Sequence, residues 1–295
     1  MDNNRLSYIF AGLAIIFWST VPTAFKISLS ELDVLTVLTI AAFTSSAVLL
    51  TLVLATGKIV QLRESNWKGL LNSALLGLIN PFLYYLILLE AYKRLPAQVA
   101  QPLNMIWPII LVFLSVIILH QKIERRSFAA LFISFAGVYL ISSQGRPFAT
   151  GGADLTGVLL ATGSSVFWAF YFILNLKDAR DESVKLLLNF LFASVYLSVA
   201  MTIRHRWAIE TGLTGALGSV YIGIFEMGIT FFFWLKALSL ARTTAKISNL
   251  VYIAPFISLL LVHFIIDEPV YFTTPAGLLL IIGGILIQNR KRVSL

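Results

Sequence analysis

Glu226 is the one carboxylate that falls near the middle of a long apolar stretch of this chain. A charge at the centre of a lipid-spanning helix costs about 2.5–3.5 kcal/mol on insertion scales, so such a side chain is read first as functional. Two chemistries suit it: pairing with the ammonium of a ligand, or taking up and releasing a coupling proton. The plainer role is a neutral carboxyl that hydrogen-bonds a neighbouring helix. Thr230 and Trp234 follow at successive spacings of four, which predicts one helical face. Three further stripes have similar spacing: Gln98, Gln101, Asn104 and Pro108; Asn249, Tyr252 and Pro255; and Asn80, Pro81 and Tyr84. Amides in lipid-spanning helices face protein or water, either as glue between helices or as the walls of a cavity.

Trp18, Trp107, Trp168 and Trp234 lie deep within apolar stretches, whereas Trp67 and Trp207 stand at the edges where interfacial tryptophans collect. Deep indoles can stack on an apolar ligand or hold a cation over their faces, and they can equally fill space between kinked helices. The candidate ligand-binding set is therefore Trp18, Asn80, Tyr84, Gln101, Asn104, Trp107, Trp168, Glu226, Thr230, Asn249 and Tyr252. Pro22, Pro81, Pro108 and Pro255 are expected to kink their helices. Glu90, Lys236 and Lys26 lie near span ends, where snorkelling to the headgroups accounts for them.

Other chemistries find no residues to carry them. The chain has no cysteine, which removes disulfides, thiolate metal sites and cysteine nucleophiles. His120, His205 and His263 are scattered, and neither an HExxH pair nor a GxxxxGK[ST] phosphate loop occurs. No cofactor or metal is expected, and energy for any transport must come from an ion or substrate gradient, unless the protein is a passive facilitator.

The elements that position these residues are set by composition. With 58% hydrophobic residues, 12% charged residues and a mean hydropathy of +0.88, the chain is no soluble globular protein. A bilayer crossing needs roughly 20 apolar helical residues. Ten stretches qualify: 6–28, 34–56, 68–91, 95–119, 126–143, 155–175, 184–203, 214–238, 243–266 and 271–289. The first is too long for a signal-peptide core and is read as a retained helix. The polar segment from Ser142 to Asp154 is the seam between two halves, 1–145 and 146–295.

Loop charge sets the expected orientation. One side gathers 15 Lys and Arg residues, among them Lys58, Arg63, Arg125, Arg180 and Arg290, and the other gathers 6, among them Lys26 and Arg94. That bias predicts both termini in the cytoplasm. The formal charge of +8 is then topological, and no nucleic-acid partner is called for.

The second half repeats the first. At an offset of 146, Gly223 falls on Gly77, Ala237 on Ala91 and Glu226 on Asn80. At 147, Pro255 falls on Pro108 and Gly284 on Gly137, and at 150 Phe167-Trp168 falls on Phe17-Trp18. Five helices per half is an odd number, so the second half must sit inverted in the membrane. Inverted halves sharing an interface place a ligand near the midplane. Glu226 and Asn80 are expected to face that region from opposite halves. Glycines in helices five and ten suit either pairing between protomers or packing within one, which leaves a monomer or a homodimer.

Two five-helix repeats, Trp18-Ser19, Trp107-Pro108, Ala254-Pro255 and the acidic Asp267-Glu268-Pro269 resemble the drug/metabolite transporter superfamily in its ten-helix EamA-type branch. Tryptophans at 18, 107 and 168 resemble those of aromatic amino acid exporters in that branch. The resemblance implies an all-α membrane carrier in the plasma membrane for small organic metabolites, working by alternating access and exporting amino-acid-like or aromatic compounds. A lipid flippase on the same scaffold is the alternative. A polytopic membrane enzyme is a further one, although no catalytic cluster near the headgroups is visible.

Overall fold

The computed structural model describes residues 3–63, 65–120, 125–146, 153–206, 212–241, 247 and 250–289, and every regular element among them is helical. The first half contains α1 (Asn3–Glu31), α2 (Val34–Ala55), a short α3 (Ile59–Arg63), α4 (Trp67–Gly77), α5 (Tyr84–Arg94), α6 (Ala97–Asn104), α7 (Trp107–Leu119) and α8 (Arg125–Ser142). The second contains α9 (Leu155–Leu176), α10 (Glu182–Ile203), α11 (Leu213–Tyr221), α12 (Ile229–Leu240), α13 (Ala254–Ile266) and α14 (Thr273–Asn289). Among the described residues six helices are long and apolar enough to cross a membrane: Asn3–Glu31, Val34–Ala55, Trp67–Arg94, Leu155–Asn175, Glu182–Ile203 and Leu213–Leu240. Shorter apolar helices cover Phe128–Ser142, Val251–Ile266 and Thr273–Ile287.

The helices start where the sequence supplies caps. Asp33 accepts from the Leu35 and Thr36 amides at 3.0 and 3.2 Å, and Asp181 accepts from the Ser183 amide at 3.0 Å. These carboxylates satisfy donors that the first turn of a helix leaves open. Large apolar side chains also cover the outside, with Phe132 72% and Phe264 77% exposed. Contiguous exposed apolar surface of that kind is expected where lipid is the solvent.

Several helices are interrupted, and the interruptions fall at repeat-matched places. Between α4 and α5 runs a π-helical segment, Leu78–Leu83, in which Asn80 has extended backbone angles (φ −147°, ψ 121°). Between α11 and α12 runs a second, Ile222–Glu226, followed by Gly228 at φ −115°, ψ −99°. The stretch expected at 95–119 is two helices that meet at Met105 and Ile106, and α13 is preceded by a 3-10 turn, Val251–Ile253. This corrects the expectation for two of the prolines. Pro108 and Pro255 each stand second in a helix, α7 and α13, rather than bending one. A missing N–H costs nothing in the first turn, so proline starts a helix well. Pro22 lies inside α1, which runs from Asn3 to Glu31. Pro81 does lie at an interruption.

Two pairs of glycines bring the halves together. A Cβ on Gly223 would meet the Ala41 carbonyl oxygen at 2.5 Å, and one on Gly77 would overlap the Asn189 carbonyl. Each repeat-matched glycine thus lets its helix press on the backbone of a helix from the other half, and those two partner helices, α2 and α10, meet each other where Ser46 and Ser194 Oγ atoms stand 3.3 Å apart. In α8 and α14 a Cβ on Gly137 would meet the Gly277 carbonyl at 2.5 Å, and the reverse holds at the same distance. Gly284 lies against Ala130, so the two helices run antiparallel. α8 and α14 therefore pack on each other within one chain.

Candidate functional site

A cavity of about 160 Å³ lies where α1, α5, α6, α7, α9, α12 and α13 converge. Trp18, Val21, Pro22 and Phe25 come from α1 at spacings of three and four, and Tyr84, Leu88 and Tyr92 come from α5 at spacings of four. Each set is one helical face turned inward. Gln101 and Asn104 project from α6, and Trp107 stands at the start of α7. Trp168, Glu226, Phe231, Ala254 and Pro255 complete the second-half side.

The interruptions explain why polar groups reach this depth. At broken helices, backbone and side chains of the half-helix ends face a cavity rather than lipid, which is where irregular backbone is tolerated in a membrane. Glu226 is the last residue of the second π-helical segment, and its Oε1 accepts from the Tyr85 hydroxyl at 2.9 Å. The Tyr84 hydroxyl donates to Asn104 Oδ1 at 3.1 Å, and Asn104 Nδ2 donates to Ser164 Oγ at 2.8 Å. Gln101 Oε1 is buried without a hydrogen-bond partner.

Aromatic rings close the walls. Trp168 lies with its ring centroid 5.0 Å from Tyr84, 6.0 Å from Phe231 and 6.4 Å from Trp107, the last edge-on at 73°. Trp18 meets Phe231 edge-on at 6.0 Å, with Trp234 behind it at 5.3 Å. These separations are those of favourable ring pairs.

Of the predicted set, Trp18, Tyr84, Gln101, Asn104, Trp107, Trp168 and Glu226 share this one cavity. Three do not line it. Asn80 is buried, its Oδ1 unpartnered, in a π-helical segment that packs against α10. Asn80 was expected to face the same midplane region as Glu226, but it is not among the cavity's lining residues, and the hydrogen-bond partner of Glu226 is Tyr85. Thr230 is fully buried away from the lining, because the Met227–Gly228 turn breaks the phase that would have set it beneath Glu226. Tyr252 packs beside Leu259 and Leu278. Asn249 lies outside the described residues. The lining residues Phe25, Leu88, Tyr92 and Phe231, and Tyr85 that bonds Glu226, were absent from the predicted set, although the 84–88–92 and 18–22–25 spacings carried a readable signal for three of them, Phe25, Leu88 and Tyr92.

One end of the bundle is closed by a polar network. Lys26 Nζ donates to the Tyr92 and Leu95 carbonyls at 3.1 Å each and stands 3.8 Å from Glu268 Oε1. Glu268 accepts from the Ala97 and Gln98 amides at 3.0 and 3.3 Å, capping α6, and the Gln98 side chain bonds Pro269, Tyr271 and Thr274. Lys26 therefore does not snorkel; it holds the end of α5. At the opposite end Asp178 receives hydrogen bonds from Arg180 and Asn72. Burial by itself would raise that carboxyl, but these bonds and the Arg180 charge outweigh it and hold it at about 2.

The EamA-like transporter family model matches the chain twice, over residues 5–143 and 155–290. An uncharacterized transporter of Bacillus subtilis (strain 168), YvbV, is 28% identical over 249 residues, covering 82% of this chain and 79% of the relative. The aromatic amino acid exporter YddG of Ancylobacter novellus is 25% identical over 215 residues, covering 70% of this chain and 72% of the exporter. Protein PecM of Dickeya dadantii is 26% identical over 231 residues, 74% and 76% of the two chains. A protein of known crystal structure superposes with a TM-score of 0.67 over 97% of both chains at 20% identity, which speaks for the fold alone. The resemblance carried by Trp18-Ser19, Trp107-Pro108 and Ala254-Pro255 is thus borne out. This all-helical membrane protein belongs to the EamA-like transporter family.

Proposed function

We propose that the chain is a secondary transporter that moves small organic metabolites, amino-acid-like or aromatic, out of the cell by alternating access. Its ten spans form two inverted five-helix repeats in the plasma membrane, with both termini in the cytoplasm. The observation that carries this reading is the aromatic cavity with Glu226 in its wall, formed where interrupted helices of both halves meet. Supporting it are the antiparallel α8 and α14 and the like roles of Gly77 and Gly223, as inversion requires. The Ancylobacter relative, an aromatic amino acid exporter, favours export of aromatic compounds. Glu226 is the one acid of the cavity, so we assign it the coupling proton, taken up as substrate leaves. The Lys26–Glu268 network would form the outer closure, at the end that loop charge places outside.

The experiment is counterflow in proteoliposomes. Vesicles preloaded with an unlabelled aromatic compound should accumulate the labelled compound transiently, and protein-free vesicles should not. A carrier that exchanges substrate gives this overshoot without any imposed gradient. A channel or an enzyme gives none, and its absence across a panel of aromatic amino acids and amines would contradict the carrier reading.

A further inference from the structure

The chemistry of the cavity wall is one-sided. Among the described residues that line it, Glu226 is acidic and none is Lys, Arg or His. The neighbouring cation, Lys26, is already engaged by two carbonyls and by Glu268. Three donors are committed: Tyr84 to Asn104, Asn104 to Ser164, and Tyr85 to Glu226. Gln101 presents an acceptor to the cavity, its Oε1, buried with no partner. A buried acceptor without a donor is costly, and the cost is relieved when a ligand brings the donor.

Resting on the carrier reading above, we propose that the substrate is an organic ammonium ion without a free carboxylate, an aromatic amine rather than an amino acid. The ammonium sits between Glu226 and Gln101 Oε1, and its ring lies among Trp18, Trp107 and Trp168. A cation gains from the carboxylate, from the orphan carbonyl and from the indole faces together. A carboxylate gains from none of them. It would leave water for neutral donors only, beside a second carboxylate, and an unpaired charge in such a setting is strongly disfavoured. At about 160 Å³ the space is also smaller than the roughly 300–1,000 Å³ of drug-sized ligand sites, which fits a single-ring amine.

The test compares three ligands with one ring and one two-carbon arm: 2-phenylethylamine, phenylalanine and 2-phenylethanol. Binding to the purified full chain is measured by calorimetry at neutral pH. The amine is expected to bind at least about tenfold tighter than either of the others. Glu226→Gln is expected to lose that preference for amine over alcohol, and Gln101→Leu to weaken amine binding about tenfold by removing the second acceptor. The two side chains stand on different elements, Gln101 on α6 and Glu226 on the second π-helical segment, so misfolding of one variant leaves the other to decide. Phenylalanine binding as tightly as the amine would overturn the assignment, as would failure of all three to bind. The counterflow experiment is read separately: overshoot with phenylalanine but not with the amine would leave the carrier standing and remove the amine.

Discussion

Glu226→Gln is expected to abolish accumulation of substrate driven by a pH gradient. One proton exchanged for one ammonium ion is electroneutral, and each unit of pH gradient then supports about tenfold accumulation. An amide at position 226 carries no proton between the two sides and no charge to meet the ammonium. Accumulation should fall to the level of vesicles without protein, while the purified variant keeps its cooperative thermal transition, because the amide oxygen can still accept from the Tyr85 hydroxyl that Glu226 binds at 2.9 Å. Flux measured in proteoliposomes under an imposed gradient decides the matter. A wild-type rate from Glu226→Gln would remove both the proton and the ammonium role and leave the side chain as a bridge between helices.

Trp107→Ala and Trp168→Ala should each weaken substrate binding by about 1–2 kcal/mol, or roughly 5- to 30-fold, and Trp67→Ala should leave it unchanged. The contrast isolates position from residue type. Trp107 and Trp168 wall the cavity with their rings 6.4 Å apart, whereas Trp67 stands 76% exposed at the start of α4. Trp168 should show the larger loss of the two. It also supports Tyr84, whose hydroxyl orients Asn104, and Phe231 beside Trp18. Titrations of the three variants at equal expression check this, and equal effects at all three positions would leave the aromatic wall without a binding role.

Much of this site was legible because its deepest residues are chemically out of place in lipid. Glu226, Gln101, Asn104 and the tryptophans at 18, 107 and 168 stand out by type alone, and the structure gathers them. The failures have a common cause. Asn80, Thr230 and Tyr252 were placed by extrapolating a 3.6-residue period across positions where the helix is not regular. A π-helical segment adds a residue to the turn, and Gly228 resets the phase, so every stripe that crosses such a point is turned off the expected face. Pro81 hinted at the first interruption, but nothing in the apolar run Ile222–Phe225 announces the second. The Glu268 cap on α6 was also hidden, since it joins residues about 170 positions apart through contacts that only the packed bundle creates. Tyr85 escaped because its neighbour Tyr84 already occupied the expected stripe.

The proposed alternating access rests on inversion of the two halves, and the sidedness of two loops tests that inversion most directly. The chain has no cysteine, so single cysteines can be introduced at Ser65, in the turn before α4, and at Ala153, just before α9. In intact cells a membrane-impermeant maleimide should label Ala153→Cys and spare Ser65→Cys, and permeabilisation should expose Ser65→Cys to the same reagent. In the five-plus-five arrangement three crossings, the stretches 68–91, 95–119 and 126–143, separate Ser65 from Ala153 and put them on opposite sides. Labelling of both positions from the same side would contradict the five-plus-five arrangement and the carrier mechanism built on it.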